Sequence, residues 1–288
     1  FSRNYDKFKL YYALKANNNP ALLKILRSEG CGVDASCPAE IFLAKKAGFE
    51  RQKILYSGVY HSDEELKYAL KEKVAINLED LSQIDRLFKY GSPKFLSFRI
   101  NPGIGKGSFE GNVFAGPDAK FGIIEKDVLK SYRKAKSYGV KSFGIHMMTG
   151  SCVLSEDYFV EITEKLLDIA GQVAEKLDIK FEFIDIGGGF GVPYRPEEQE
   201  LDIDSVGKNV CLKFKEKREE YDLGKPYLVA EPGRYLLCDA GILLTKVHSI
   251  KKGYKKFIGV DAGMNTLIRP MLYNAYHEIL VANNLSAK

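Results

Sequence analysis

The sequence predicts an α/β protein whose main body is one closed barrel of eight parallel β/α units, and three observations lead there. Eight short apolar runs alternate with helix-like stretches, the signature of repeated β/α units. The runs are apolar almost throughout, as expected of parallel strands covered on both faces. Polar and glycine-rich features follow many different runs. An open doubly wound sheet, the competing architecture, would gather them at one switch point. Eight units within about 230 residues also suit a fold that typically takes ~250.

The runs are "KLYYALK" (9–15), "CGVDAS" (31–36), "KILYSG" (53–58), "VAINLE" (74–79), "FLSFRI" (95–100), "SFGIHM" (142–147), "FEFIDIGGG" (181–189) and "YLVAEPG" (227–233). Between the first two, "NPALLKILRSEG" has an Asn-Pro start and a glycine stop. "SDEELKYALKE" opens on Ser62 with Glu65 three residues on, a capping-box pattern. "SEDYFVEITEKLLDIAGQVAEKL" repeats apolar residues at helical spacing. An unusually long loop, "NPGIGKGSFEGNVFAGPDAKFG", follows the fifth run, and ordered loops of that length are usually functional. After residue 235 the pattern changes. "GILLTKVHSIKK" and "KKFIGVDAG" read as paired strands without a helix between them. The expected organisation is a barrel over 1–240 and the start of an incomplete β-rich domain over 241–288.

The bulk properties exclude several classes. The 288 residues are 45% hydrophobic, with 43 basic and 38 acidic residues interspersed for a net charge of +5. The one dense basic run, "KKGYKK" (251–256), reads as a solvated turn, so no nucleic-acid partner is expected. No apolar run approaches a membrane span, and the first residues lack a signal-peptide core. The five cysteines and four histidines show no metal-ligand spacing, so a reduced, cytoplasmic protein without a metal is expected.

Barrel active sites collect at the C-terminal ends of the strands. Lys15 ends the first run, Asp34 lies in the second, "HMMTGS" (146–151) follows the sixth, "GGGFG" (187–191) ends the seventh and "EPGR" (231–234) the eighth. Glycine turns let backbone N–H groups approach an anion, and two on adjacent late strands suit a phosphate. A tight turn or helix stop explains "GGGFG" equally well. A lysine beside a phosphate site suggests a carbonyl cofactor such as pyridoxal phosphate; the competing reading is a lysine that snorkels from a strand end.

Together, "YYALKANNNP", "GCGVDASCPAEIFLAKKAG", "DAKFGI", "IDIGGGFGVPY", "AEPGRYL" and "VDAGMNTLIRPMLYNAYH" resemble the fold-type III pyridoxal-phosphate-dependent decarboxylases of amino acids, closest to those acting on diaminopimelate. The resemblance covers nearly the whole chain. It implies a TIM-type, alanine-racemase-like barrel, with pyridoxal 5'-phosphate as cofactor and an amino acid as substrate. It makes Lys15 the cofactor-bearing lysine and Glu231 the partner of the pyridine nitrogen. It sets Ser151, Gly187, Gly188, Gly189 and Gly233 at the phosphate, and Asp34, His146, Met148 and Arg234 around the cofactor. Arg234, Arg269 and Tyr273 fall where the family contacts substrate, and Arg269 would bind a distal carboxylate; the bland alternative is an arginine capping a surface turn. The implied reaction is decarboxylation of meso-diaminopimelate to lysine in a head-to-tail homodimer. The alternatives are a decarboxylase of ornithine, lysine or arginine, or a cofactor-binding barrel without turnover.

Two departures from the family pattern stand out. The family's His-x-His-x-Gly-Ser reads "HMMTGS" here, with Met148 at the second histidine. A thioether packs on a ring but does not titrate. Family members also continue for more than ~100 further residues, on the usual size of such domains. The expectation is a chain truncated at both ends that binds the cofactor weakly.

Overall fold

The computed structural model describes residues 1–107 and 113–286; "SFEGN" (108–112), in the middle of the long loop, lies outside the described residues. The chain divides into two units. One comprises Phe1–Val192 and Leu201–Leu237, the other Pro193–Glu200 and Cys238–Lys288.

The first unit is the barrel. Its strands are β1 (Phe8–Ala13), β2 (Gly32–Ala35), β3 (Ile54–Tyr56), β4 (Ala75–Leu78), β5 (Phe95–Asn101), β6 (Ser142–Met147), β7 (Phe181–Asp185) and β8 (Tyr227–Ala230). Each pairs in parallel with the next, and β8 returns to β1 through Phe8↔Leu228 and Leu10↔Ala230, which closes the sheet. All eight predicted runs are strands. Their helices are α1 (Pro20–Ser28), α2 (Pro38–Lys46), α3 (Asp63–Glu72), α4 (Leu81–Phe88), α5 (Glu125–Ser137), α6 (Glu156–Leu177) and α7 (Ile203–Glu220). A short α8 (Arg234–Leu237) follows β8. The caps work as their residues dictate. The Asn19 side chain accepts from Ala21 N at 2.9 Å ahead of Pro20, and Ser62 and Glu65 close a reciprocal capping box at 3.2 and 2.7 Å.

Strand alternation decides what enters the barrel. On β5, Leu96, Phe98 and Ile100 face the helices, and Phe98 meets Tyr132 of α5 edge to face at 4.8 Å. Ser97, Arg99 and Asn101 therefore point inward. Lower in the barrel, aromatic rings fill the space and glycines make room for them. A Cβ on Gly32 would lie 2.7 Å from the Tyr11 ring, and one on Gly144 would lie 2.6 Å from the Phe183 ring. Towards the C-terminal ends the inward positions turn polar, with Asp34, Asn77, Arg99, His146, Asp185 and Glu231 all buried.

In the second unit, β9 (Val247–Lys252) and β10 (Lys256–Val260) form an antiparallel hairpin, and α9 (Arg269–Tyr273) follows. The paired strands expected after residue 240 are thus present as a hairpin. No helix among the described residues is long and apolar enough to cross a membrane.

The glycine–ring fit gives a stability test. Gly144→Ala places a methyl inside the Phe183 ring's envelope and should destabilise the protein by about 1–3 kcal/mol, as overpacking does. Urea unfolding measures it, and Gly241→Ala, with open space and no positive φ, serves as the comparison. Equal stability of Gly144→Ala and wild type would mean that the ring moves aside freely.

Candidate active site

Lys15 leaves β1 in a single turn, Leu14–Ala16, that lifts its side chain over the barrel mouth. The register Ala13↔Asp34 brings Asp34 alongside, and Lys15 Nζ donates to Asp34 Oδ2 at 3.2 Å. The lysine keeps 54% of its side chain exposed, whereas Asp34 is 1% exposed. Ser57, at the end of β3, donates its hydroxyl to the other Asp34 oxygen.

Across the mouth, Glu231 follows β8. Its backbone N–H donates to Gly187 O at 2.7 Å, tying the two glycine-rich turns together. Its Oε2 lies 3.1 Å from His146 Nε2, and His146 Nδ1 lies 3.0 Å from Asn77 Nδ2. An amide nitrogen only donates, so Nδ1 accepts and Nε2 carries the hydrogen given to Glu231. Asp185, at the end of β7, accepts from Gly187 N at 2.8 Å. One ligand-capable atom each from His146, Asp185 and Glu231 lie within 4.8 Å of one another, all buried.

The glycines of "GGGFG" are demanded sterically. A Cβ on Gly187, Gly188 or Gly189 would sit 2.2 Å from Met147 O, 2.3 Å from Glu231 O or 2.7 Å from Gly150 O. Gly187 and Gly189 also hold φ of +71° and +95°, where other residues are strained. Gly188 N donates to Met148 Sδ at 3.3 Å, which sets that methionine against the turn. Gly233 faces Ala13 and Ala16 beside Lys15, and Arg234 Nη2 reaches Ser151 Oγ at 3.5 Å.

Lys15, Asp34, His146, Met148, Ser151, Gly187, Gly188, Gly189, Glu231, Gly233 and Arg234 therefore all belong to the barrel unit, at the C-terminal ends of its strands. Arg269 and Tyr273 belong to the second unit, as the first and last residues of α9. There Arg269 Nη1 meets His277 Nε2 at 2.8 Å, and its guanidinium lies 4.4 Å from the Tyr194 ring centroid.

Sequence reasoning missed three buried residues: Asn77, Arg99 and Asp185. Arg99 Nη2 donates to Met148 O at 3.2 Å and stacks 4.5 Å from the Phe121 ring. The available signal was alternation: Asp185 shares an inward face with Phe183, and a carboxylate there needs a reason.

Burial sets the electrostatics. It pushes Asp34 above the ordinary carboxylate range, with Glu231 adding to the effect and Lys15 opposing it. It pushes Asp185 well above that range, again helped by Glu231. Burial works the same way on Glu231, but His146 and Lys15 outweigh it and hold Glu231 low. Desolvation pulls Lys15 down, yet Asp34 and Glu231 more than offset it and raise the amine.

Residues 1–238 match the family model described as pyridoxal-dependent decarboxylase, pyridoxal binding domain. The diaminopimelate decarboxylase of Methanothermobacter thermautotrophicus is 47% identical over 98% of the chain, and that of Thermoplasma acidophilum is 38% identical over 96%. The chain spans 66% of the length of each of these relatives. Among solved structures, diaminopimelate decarboxylase from Helicobacter pylori complexed with L-lysine superimposes with a TM-score of 0.85 at 31% identity, covering 98% of this chain and 71% of that one.

The Lys15–Asp34 pair predicts a change in amine chemistry. Asp34→Asn removes the carboxylate 3.2 Å from Nζ, so the Lys15 pKa should fall. A nearby opposite charge shifts a group by ~1–3 pH units, and the exposure of Lys15 argues for the lower end. Competitive labelling of lysines across pH, read by mass spectrometry, should show Lys15 reacting at lower pH in the variant. An unchanged profile would dissociate the pair.

Proposed function

The chain belongs to the pyridoxal-dependent decarboxylases, and from that premise we propose that it carries the cofactor site of an enzyme that decarboxylates meso-diaminopimelate to lysine. The observation that carries the reading is the meeting of Lys15, Asp34, His146 and Glu231 beside the "GGGFG" turn at one end of the barrel, in a chain 47% identical to a diaminopimelate decarboxylase.

The residues suit pyridoxal phosphate. Glu231 keeps one buried oxygen, Oε1, without a hydrogen-bond partner among the described residues, fit for a pyridine N–H. Gly187, Gly188 and Gly189 leave no room for a Cβ, so this part of the turn presents main chain rather than side chains to an anion. Lys15 would be the covalent anchor. Gly187, Gly188, Gly189, Gly233, Ser151 and Arg234 would hold the phosphate, and Met148 would pack on the ring. When bound, the cofactor supplies a carbonyl that captures the substrate amine and a ring that takes up the electron pair left by carbon dioxide.

The protein's own part is proton placement and orientation. To act as a nucleophile, Lys15 Nζ must lose its proton, and Asp34 Oδ2 at 3.2 Å is the neighbouring acceptor. The raised Asp34 is a better base than an ordinary aspartate. Glu231, held ionised, would keep the ring nitrogen protonated, with His146 Nε2–H fixing its orientation. Arg269 is proposed to select the substrate's distal carboxylate by a charge-assisted bond. A head-to-tail homodimer is part of the same proposal and rests on the family resemblance.

Two measurements test this reading. Borohydride reduction in the presence of pyridoxal phosphate should place the pyridoxyl group on Lys15 in peptide mapping; label on another lysine refutes the assignment. Arg269→Ala should lower kcat/KM for diaminopimelate by ~2–5 kcal/mol of transition-state binding while sparing mono-carboxylate amino acids. Equal losses on both remove Arg269 from specificity.

A further inference from the structure

Asp185 has no role in the reaction as described, yet it is the most deeply buried acid of the site, at 0% exposure. Its Oδ1 accepts from Gly187 N at 2.8 Å, and its Oδ2 has no hydrogen-bond partner among the described residues. Glu231, close beside it, is in the same condition: Oε2 takes the hydrogen of His146 Nε2, and Oε1 has no such partner. Two buried carboxyls, each with one oxygen unsatisfied, sit within a cluster whose ligand-capable atoms span no more than 4.8 Å. Two ionised carboxylates so placed would repel each other, and each would keep one oxygen without a donor. One proton shared between them supplies a donor to one orphan oxygen and an acceptor to the other, and because a carboxylate oxygen has two lone pairs, Glu231 Oε1 keeps one for the pyridine N–H.

The surrounding donors say which acid holds it. Glu231 already faces the His146 N–H and the field of Lys15, both of which favour its ionised form. Asp185 faces one backbone N–H, the ring of Tyr11 and the carboxylates of Glu231 and Asp34. We propose that Asp185 is a positioning residue: a permanently protonated acid that donates to Glu231 and so fixes that carboxylate, ionised and oriented, for the pyridine nitrogen. This rests on the cofactor reading for its purpose, though not for the proton itself. The groups facing Asp185 from packed elements are Tyr11 on β1, Asp34 on β2, His146 on β6 and Glu231 after β8. None of them supplies the missing donor, and burial holds Tyr11 up at about 12, so its phenol stays neutral.

Linkage gives the sign. A carboxyl raised in the folded state contributes stability below its unfolded value and loses it as pH rises through its folded value. Unfolding free energy should therefore decline from the ordinary aspartate range upward, and Asp185→Asn, an uncharged donor of similar shape, should lack that component. The decisive measurement is the infrared spectrum of the cofactor-free chain at neutral pH. A carbonyl stretch of a protonated carboxylic acid is expected in wild type, absent in Asp185→Asn and retained in Glu231→Gln. Asp185→Asn should bind pyridoxal phosphate nearly as well as wild type, and Asp185→Ala should bind it about tenfold or more weakly, the scale for losing a hydrogen bond to a charged group. No acid band in wild type, or a band removed by Glu231→Gln and kept by Asp185→Asn, overturns the assignment. So does an Asp185→Asn that binds the cofactor as poorly as Asp185→Ala. Failure of wild type to bind pyridoxal phosphate while the Asp185 band is present would instead strike the cofactor reading.

Discussion

Three carboxylates, Asp34, Asp185 and Glu231, are buried at the same end of one barrel, and the cost of removing charge from water governs everything placed around them. Two cations reach that end: Lys15 on Asp34, and the buried Arg99, whose foremost charge partner is Glu79, with Glu231 and Asp34 after it. An ionised Asp185 would add a further negative charge beside Glu231 and Asp34, in a region where repulsion is poorly screened. The His146–Asn77 pair acts within the same constraint. It satisfies Glu231 through a hydrogen-bond chain that runs from His146 to the Asn77 amide and so fixes the carboxylate's orientation.

The barrel is what lets these groups meet. Asp34 and Glu231 stand 197 positions apart in sequence, yet closure of β8 on β1 makes them near neighbours across Lys15. The lower interior, packed with Tyr11 and Phe183 against glycines, admits no water-filled channel at those positions, so the polar layer rests on an apolar floor. That floor keeps the local dielectric low, which raises Asp34 and Asp185 and makes each hydrogen bond above it count for more.

Much of this was legible in the sequence because parallel barrel strands are apolar on both faces and read as unbroken runs. The end of a run is then a place, and Lys15 and Glu231 were found as the first polar residues beyond such ends. Boundaries were less legible. "FEFIDIGGG" reads as one run, but β7 stops at Asp185 because Gly187 turns the chain at positive φ. Polar residues inside a run were harder still. Asn77 and Arg99 each look like a tolerated interruption, and only closure of the sheet shows that they point to the same centre. The segment Pro193–Glu200 was not legible at all. It grouped with the second unit, although both of its sequence neighbours belong to the barrel, and no local periodicity carries that information.

Met148 fits the same electrostatic frame. A histidine in its place would bring a titratable ring against the glycine turn, next to a cluster of buried charged groups. The thioether instead accepts the Gly188 N–H through sulfur, a soft, uncharged acceptor. The Arg99 side chain donates to the Met148 carbonyl, so a buried cation is anchored on the same residue without needing a charge there. A thioether in place of a ring thus adds no titratable group beside Asp34, Glu231, Lys15 and Arg99. What changes is the apolar surface presented to whatever lies over the turn, which becomes narrower and more deformable. On the proposed reading, a flexible side chain at that position would adapt its shape to a flat ring, and the hydrogen bonds that orient the ring would come from Glu231 and its supporting residues.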